Sequence, residues 1–478
     1  MGKSDKQTAD ASTSLRSMFS GRRGALLLAL LFTEFGGAVQ SIAYSSVLPI
    51  AAEDLHGAGL YGATLAAGSF TQILVLAIGS APFARLRPIT LLGTATVLFV
   101  VGSVVAVAAV SMSMILIGTV VRGIAGGMLA GFGLSILGGL FGDKERTRVY
   151  GLFAMMWLLP SMVGPAINAV VTLAWGWRAA LAWPALLVIA GRMLIGKNID
   201  LVPWKNSTAA RPSLTWVAVL LGGLVLATVA TLPKGATGIA LLVVGCVLAT
   251  VASVRILQIQ VGSERARLGK VVLLFLLCLC YFGGAGIVSL AAITGLGYGI
   301  VAGTVVVGAG LLTWSLTGFK PELADRWIPK PQVTGLVLVT VALIAAVATQ
   351  TFLTGTTALV VLIGSWFLAG AGMGISYPRF SASAMDELPP ERVLPVATAV
   401  AFSETAGTAI AGFVGGGTYS VLRSLGYAAT TALSWGFLLL AAFGAGSVVL
   451  YRWLWTGQPA AGEPVDTSGV HRRAADDD

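Results

Sequence analysis

Charge is what this sequence has least of. Only 10% of its 478 residues are charged, where an average soluble protein carries about 25%, so no water-facing shell can be built over most of the chain. Cysteine is scarce too. Cys246, Cys278 and Cys280 all lie inside apolar runs, and His56 and His471 are the only histidines. That excludes a disulfide framework and a Cys/His metal cluster. No phosphate-binding loop of the Walker type is present, so ATP does not drive this protein directly. No cofactor is expected. The net charge of +10 comes from basic residues scattered through short segments, which argues against a nucleic-acid partner.

Apolar residues are there in excess, at 56%, together with 61 glycines. Stretches of about 20 apolar residues, enough to cross a bilayer, fall near 24–50, 59–82, 89–110, 112–140, 149–173, 178–195, 214–232, 236–256, 270–292, 296–317, 332–350, 355–378, 393–420 and 428–455. The expectation is an all-α integral membrane protein with fourteen transmembrane helices. With a cytoplasmic N-terminus, most of the 30 Lys and Arg lie on cytoplasmic segments, Arg178, Lys234 and Arg423 lie outside, and Arg122 lies within a span. The positive-inside rule asks for that bias, and a miscounted helix would destroy it. Arg16, Arg22 and Arg23 lead into an apolar segment too long for a cleavable signal. A multi-pass protein of the plasma membrane follows, with both termini cytoplasmic and polar, disordered tails at 1–20 and 457–478.

The chain repeats itself. Glu34-Phe35-Gly36-Gly37-Ala38 recurs as Tyr281-Phe282-Gly283-Gly284-Ala285, an offset of 247. Arg122-Gly123-Ile124-Ala125-Gly126-Gly127-Met128 aligns at offset 246 with Leu368-Ala369-Gly370-Ala371-Gly372-Met373-Gly374, and Glu145-Arg146 matches Glu391-Arg392 at that offset too. Residues 21–195 and 270–456 then read as two six-helix bundles, and 196–269 as linkers around an inserted two-helix hairpin. Two halves related along the membrane normal put a substrate site between them near the midplane and give alternating access by rocking.

Three ionisable residues lie deep in the spans. Glu34 is about 11 residues beyond Arg23 and Glu404 about 12 beyond Arg392, so at a 1.5 Å rise both lie roughly 16–18 Å in. Arg122 is roughly 15 Å from the external end of its span. Intramembrane acids are costly and mark ion or substrate pathways by default. Two readings stand for Glu34: proton and substrate exchange, or interhelical hydrogen-bond glue. Glu404, in Phe402-Ser403-Glu404-Thr405, is either a second cavity carboxylate or an acid satisfied by threonine hydroxyls. Arg122 either tunes Glu34 or braces backbone carbonyls. Gln40, Tyr44, Met155, Met156, Trp157, Tyr281 and Trp366 are candidate cavity walls for an apolar or amphiphilic substrate, with lipid-facing or core packing as the other reading of each.

These features resemble the major facilitator superfamily, in particular its 14-span drug:proton antiporters, over residues 20–456. Gln40-Ser41-Ile42-Ala43-Tyr44-Ser45-Ser46-Val47-Leu48-Pro49 is similar to a first-span motif of that branch, with Gln40 where the branch has an acid. Gly118-Thr119-Val120-Val121-Arg122-Gly123 resembles the superfamily's arginine and glycine motif, which implies proton coupling through Arg122. Gly164-Pro165 followed by Asn168 resembles a weakened form of the antiporter motif, and with Pro160 before it the pair reads as a hinge or as a simple kink. Trp175-Gly176-Trp177-Arg178 matches the aromatic and arginine segment after it. The loop after the second span keeps Arg85 but has Ala84 where the family has aspartate, and Leu323-Ala324-Asp325-Arg326 is a better copy. The resemblance therefore implies gating roles for Arg85, Asp325 and Arg326.

The expected function is proton-coupled export of a hydrophobic or cationic small molecule by a monomer in contact with membrane lipids. The alternative is export or flipping of a lipid or glycolipid by the same fold. A membrane enzyme would need catalytic groups on sizeable loops, and the short external segments offer only Glu53, Asp54 and His56.

Overall fold

The computed structural model describes residues 18–56, 60–82, 86–202, 213–230, 236–319 and 321–455. Among these the secondary structure is entirely helical: α1 (Gly21–Asp54), α2 (Tyr61–Ile78), α3 (Pro88–Val107), α4 (Met112–Leu140), α5 (Asp143–Met155), α6 (Leu158–Lys197), α7 (Leu214–Val229), α8 (Ala236–Val261), α9 (Arg265–Leu290), α10 (Ile300–Phe319), α11 (Pro321–Trp327), α12 (Pro331–Thr351), α13 (Gly355–Ala384), α14 (Pro390–Gly412), α15 (Thr418–Ser424) and α16 (Ala429–Trp455). Among the described residues, eleven helices are long and apolar enough to cross a membrane, and shorter apolar helices run over 67–78 and in α7. Exposed apolar side chains recur at helical spacing, as with Val97, Val101 and Val104 on α3 and Val243, Val247 and Val251 on α8. Such stripes suit lipid, and the protein is multi-pass. Of the tail expected at 1–20, Met18 is buried and residues 1–17 lie outside the described residues. The tail at 457–478 lies outside the described residues.

α6 is two helices joined at an elbow. Gly176 has φ 84° and ψ 167°, a conformation essentially reserved for glycine. Trp183 Nε1 donates to Asn168 Oδ1 at 3.2 Å, although 15 residues of straight helix would hold them roughly 22 Å apart. The limbs 158–175 and 177–197 therefore run back along each other. Beside the elbow, Trp177 Nε1 donates to Asp54 Oδ2 at 2.9 Å and Arg178 Nη2 to the Ala109 carbonyl at 2.9 Å.

Packing sorts the long helices into two groups. α1 lies along α6, α3 along α4 and α2 along α4; α12 lies along α13 and α16, α10 along α13 and α9 along α14. α7 and α8 pack on each other through Gly223, Gly245, Ala227 and Ala249. This pair touches both groups, α7 against α2 and α8 against α14, and Gln260 Nε2 donates to the Leu76 carbonyl at 2.7 Å.

The two groups meet mainly at one end, here termed the basic end. There Gly131 of α4 abuts Thr398 of α14, Gly138 abuts Met385, and Gly151 of α5 lies so close to Gly318 of α10 that a Cβ would overlap the Gly318 carbonyl. Arg146 Nη1 closes the seam by donating to Asp386 Oδ1 at 2.9 Å, and Arg146 Nη2 donates to the carbonyls of Gly138 and Phe141. Toward the opposite end a separate apolar cluster, with Tyr44, Val47, Leu48, Ala106, Met112 and Trp177 among its members, draws on the first group alone.

Candidate functional site

Glu34 sits mid-way along α1, and its partner is set by a proline. Pro160 has no N–H to offer the Met156 carbonyl one turn back, and the helix is interrupted between Met155 and Leu158. At that interruption Trp157 turns its indole to the acid, Nε1 donating to Glu34 Oε1 at 2.8 Å. Trp157 remains 37% exposed, and Met155, Met156 and Glu34 are half-buried.

Glu404 reaches the same region from α14. Ser381 Oγ on α13 donates to Glu404 Oε1 at 3.4 Å, and the Tyr377 hydroxyl also bonds its carboxylate. Pro378 lies between these two donors, inside α13. Glu404 is half-buried and within electrostatic reach of Glu34, as is Tyr377. Two carboxyls from opposite groups of helices thus lie within electrostatic reach of each other while each keeps some accessible surface. Two negative charges so placed repel in a low-dielectric interior, and a proton on either, or a cation beside both, relieves the repulsion.

Arg122 stands elsewhere than expected. Its guanidinium lies 3.5 Å from the centre of the Tyr44 ring, with Nε and Nη1 lacking hydrogen-bond partners. Tyr44 is ten positions beyond Glu34, about 15 Å along α1. Among the described residues no ion pair joins Arg122 to Glu34. Tuning of Glu34 is therefore replaced by a cation held on an aromatic face, an interaction worth about 0.5–2 kcal/mol.

The remaining expected residues divide. Gln40 is buried, with Nε2 donating to the Leu181 carbonyl at 3.3 Å, and Tyr44 is buried under Arg122. Tyr281 stacks on Trp366 at 5.7 Å and meets Trp314 edge-on at 5.3 Å, and Tyr281 and Trp366 are buried. These four are packing residues in this arrangement, because their rings and amide point into helix contacts. α6 runs without a break through Gly164 and Pro165, so the interruption falls one turn before Pro160 instead. Gly164 packs against Ile42. Asp325 accepts from Arg379 Nη2 at 2.7 Å, while Arg326 is exposed beside Trp327. Arg85 lies outside the described residues.

Sequence reasoning missed Tyr377 and Ser381, whose hydroxyls carry no mark distinguishing them from packing residues. It also missed Arg192, buried in the second limb of α6 with Nη1 3.3 Å from the Ala95 carbonyl and its guanidinium over Phe99 at 4.4 Å. The run Ile189-Ala190-Gly191-Arg192-Met193-Leu194, apolar on both sides of the charge, was the signal.

Solved structures decide the fold. A bacterial homologue of the iron transporter ferroportin, in an outward-facing state, superposes with a TM-score of 0.67 at 12% identity, covering 91% of this chain and 100% of that one. The proton:xylose symporter XylE, of the major facilitator superfamily, gives 0.62 at 13% identity, covering 90% and 95%. The fold is that of the major facilitator superfamily. At such identities the likeness carries the fold alone. In sequence, the chain is 29% identical over 205 residues to a probable multidrug-efflux transporter of Mycobacterium tuberculosis, covering 40% of this chain and 41% of that relative. The chain thus spans about two fifths of the length of that relative. No family model matches. The relatives and structural neighbours are transporters, not enzymes.

Proposed function

We propose that this protein is a proton-coupled secondary transporter that exports a hydrophobic or cationic small molecule across the plasma membrane by alternating access. The observation that carries the reading is that Glu34 and Glu404, from the two groups of helices, lie within electrostatic reach of each other, with Trp157, Ser381 and Tyr377 holding them. A site that accepts either protons or a cation exchanges one for the other as access changes side. The energy comes from the ion gradient, about 2.3 kcal/mol per charge per 100 mV. Fourteen spans follow if the eleven long apolar helices are joined by α2, α7 and the second limb of α6, with the basic end cytoplasmic. Contacts concentrated at that end then describe an outward-facing arrangement.

A lipid or glycolipid cargo is the second reading, and one feature favours it. A cavity of about 440 Å³ between α12 and α16 is lined by polar Gln350, Thr351, Thr430, Thr431 and Ser434 together with apolar Val347, Trp435 and Leu438. That mixture suits an amphiphile.

The test is a substrate screen on proteoliposomes with an imposed pH gradient, using lipophilic cations and fluorescent lipids side by side. Cation export that depends on the gradient and is lost in Glu34→Gln and Glu404→Gln supports the first reading. Gradient-driven export unaltered in both variants removes it.

A further inference from the structure

Tyr150 is a buried hydroxyl without a hydrogen-bond partner. Its side chain on α5 is 0% exposed, and its Oη makes no hydrogen bond. A buried polar atom left unmatched is destabilising where phenylalanine would fill the same space, so the hydroxyl calls for a reason. Its neighbours supply one. Tyr150 lies within electrostatic reach of Glu404, Arg146 and Asp386. Arg146 and Thr147 are one turn nearer the basic end on the same helix, about 5 Å along the axis. Thr147 and Asp386 line a cavity of about 250 Å³ at that end, with Asp325, Gln332, Arg379 and Ser383. Asp386 keeps a 33% exposed side chain there.

We propose that the Tyr150 hydroxyl is the proton-transfer group between Glu404 and the basic-end cavity, an inference that rests on the proton-coupled reading above. In the transfer, Oη takes the proton of the Glu404 carboxyl while its own O–H proton passes to the Asp386 carboxylate or to water in the cavity. Rotation of the hydroxyl then restores the starting state, so tyrosine gains and loses one proton and never carries charge through the cycle. The missing hydrogen bond has a purpose in this scheme. While the groups of helices are apart at the far end, the hydroxyl bonds neither side and the path is interrupted, which prevents a proton leak. Parting of the Arg146–Asp386 seam admits water and completes it.

The probe is tetraphenylphosphonium, a lipophilic cation, with the full chain in proteoliposomes. In Tyr150→Phe and Tyr150→Met, export driven by a pH gradient is expected to fall at least tenfold. Binding of the probe is expected to stay within twofold, and exchange of labelled for unlabelled probe without a gradient is expected to persist. Unchanged gradient-driven export in both variants overturns the relay, as does a parallel loss of export, exchange and binding, which marks a structural role. Glu404→Gln separates the two levels. Export lost there but kept in Tyr150→Phe removes only the relay; export kept in Glu404→Gln, or absent in the wild type, removes the reading beneath it.

Discussion

The indole of Trp157 donates a 2.8 Å hydrogen bond to the Glu34 carboxylate across 123 residues of chain, and it does so from the gap that Pro160 opens between α5 and α6. An acid in the middle of one span is thereby tied to the one interruption in another. Trp157 lies between α5 and α6, so the bond joins the Glu34 carboxyl on α1 to the junction of those two helices.

Trp157→Phe keeps the ring and removes the donor. A hydrogen bond to a charged group contributes about 1.5–3 kcal/mol, or roughly ten- to a hundredfold in a rate if felt in the transition state. Gradient-driven export is expected to fall by that range while the melting temperature in detergent changes little. An export rate equal to wild type would mean that the bond has no part in the cycle.

Asp386→Asn tests the seam. Arg146 is 7% exposed and Asp386 33%, so the pair is only partly screened, and its loss is expected to cost about 1–2 kcal/mol, between the values for surface and buried pairs. The equilibrium should move about five- to thirtyfold toward separation at the basic end. Spin labels at Gly142 and Glu387 should report a longer distance in the variant, and an unaltered distance distribution would deny the seam its role.

Gly176→Ala addresses the elbow of α6. With φ at 84° and ψ at 167°, a side chain there is expected to cost about 1–3 kcal/mol. Thermal unfolding should show a lower midpoint. A midpoint at or above wild type would require a different conformation at this residue.

The fold was legible because its determinants are one-dimensional. Apolar run length fixes where helices lie, and the offset repeat of Glu34 with Tyr281 and of Arg146 with Arg392 foreshadows two related groups. Glu34 and Glu404 were legible as isolated acids in apolar runs. Side-chain azimuth was not. Arg122 is at a depth suited to the midplane, yet its helix faces Tyr44, and nothing in spacing along one helix reports what the next helix presents. Tyr281 and Trp366 have cavity-lining chemistry but stack on each other in the core. The break before Pro160 and the elbow at Gly176 turn on single residues whose effects depend on which neighbours take up the freed carbonyls. Tyr150, Tyr377 and Ser381 owe their significance entirely to groups brought near by folding.

On the proposed function, Glu34 and Glu404 form one site for which protons and substrate compete. Proton release on binding tests it most directly: tetraphenylphosphonium is added to the detergent-solubilised protein in weakly buffered solution, and pH is followed with a soluble indicator dye. Binding is expected to release protons from the wild type and none from the protein carrying both Glu34→Gln and Glu404→Gln. Binding by the wild type with no proton released, or equal release from the double variant, would contradict it.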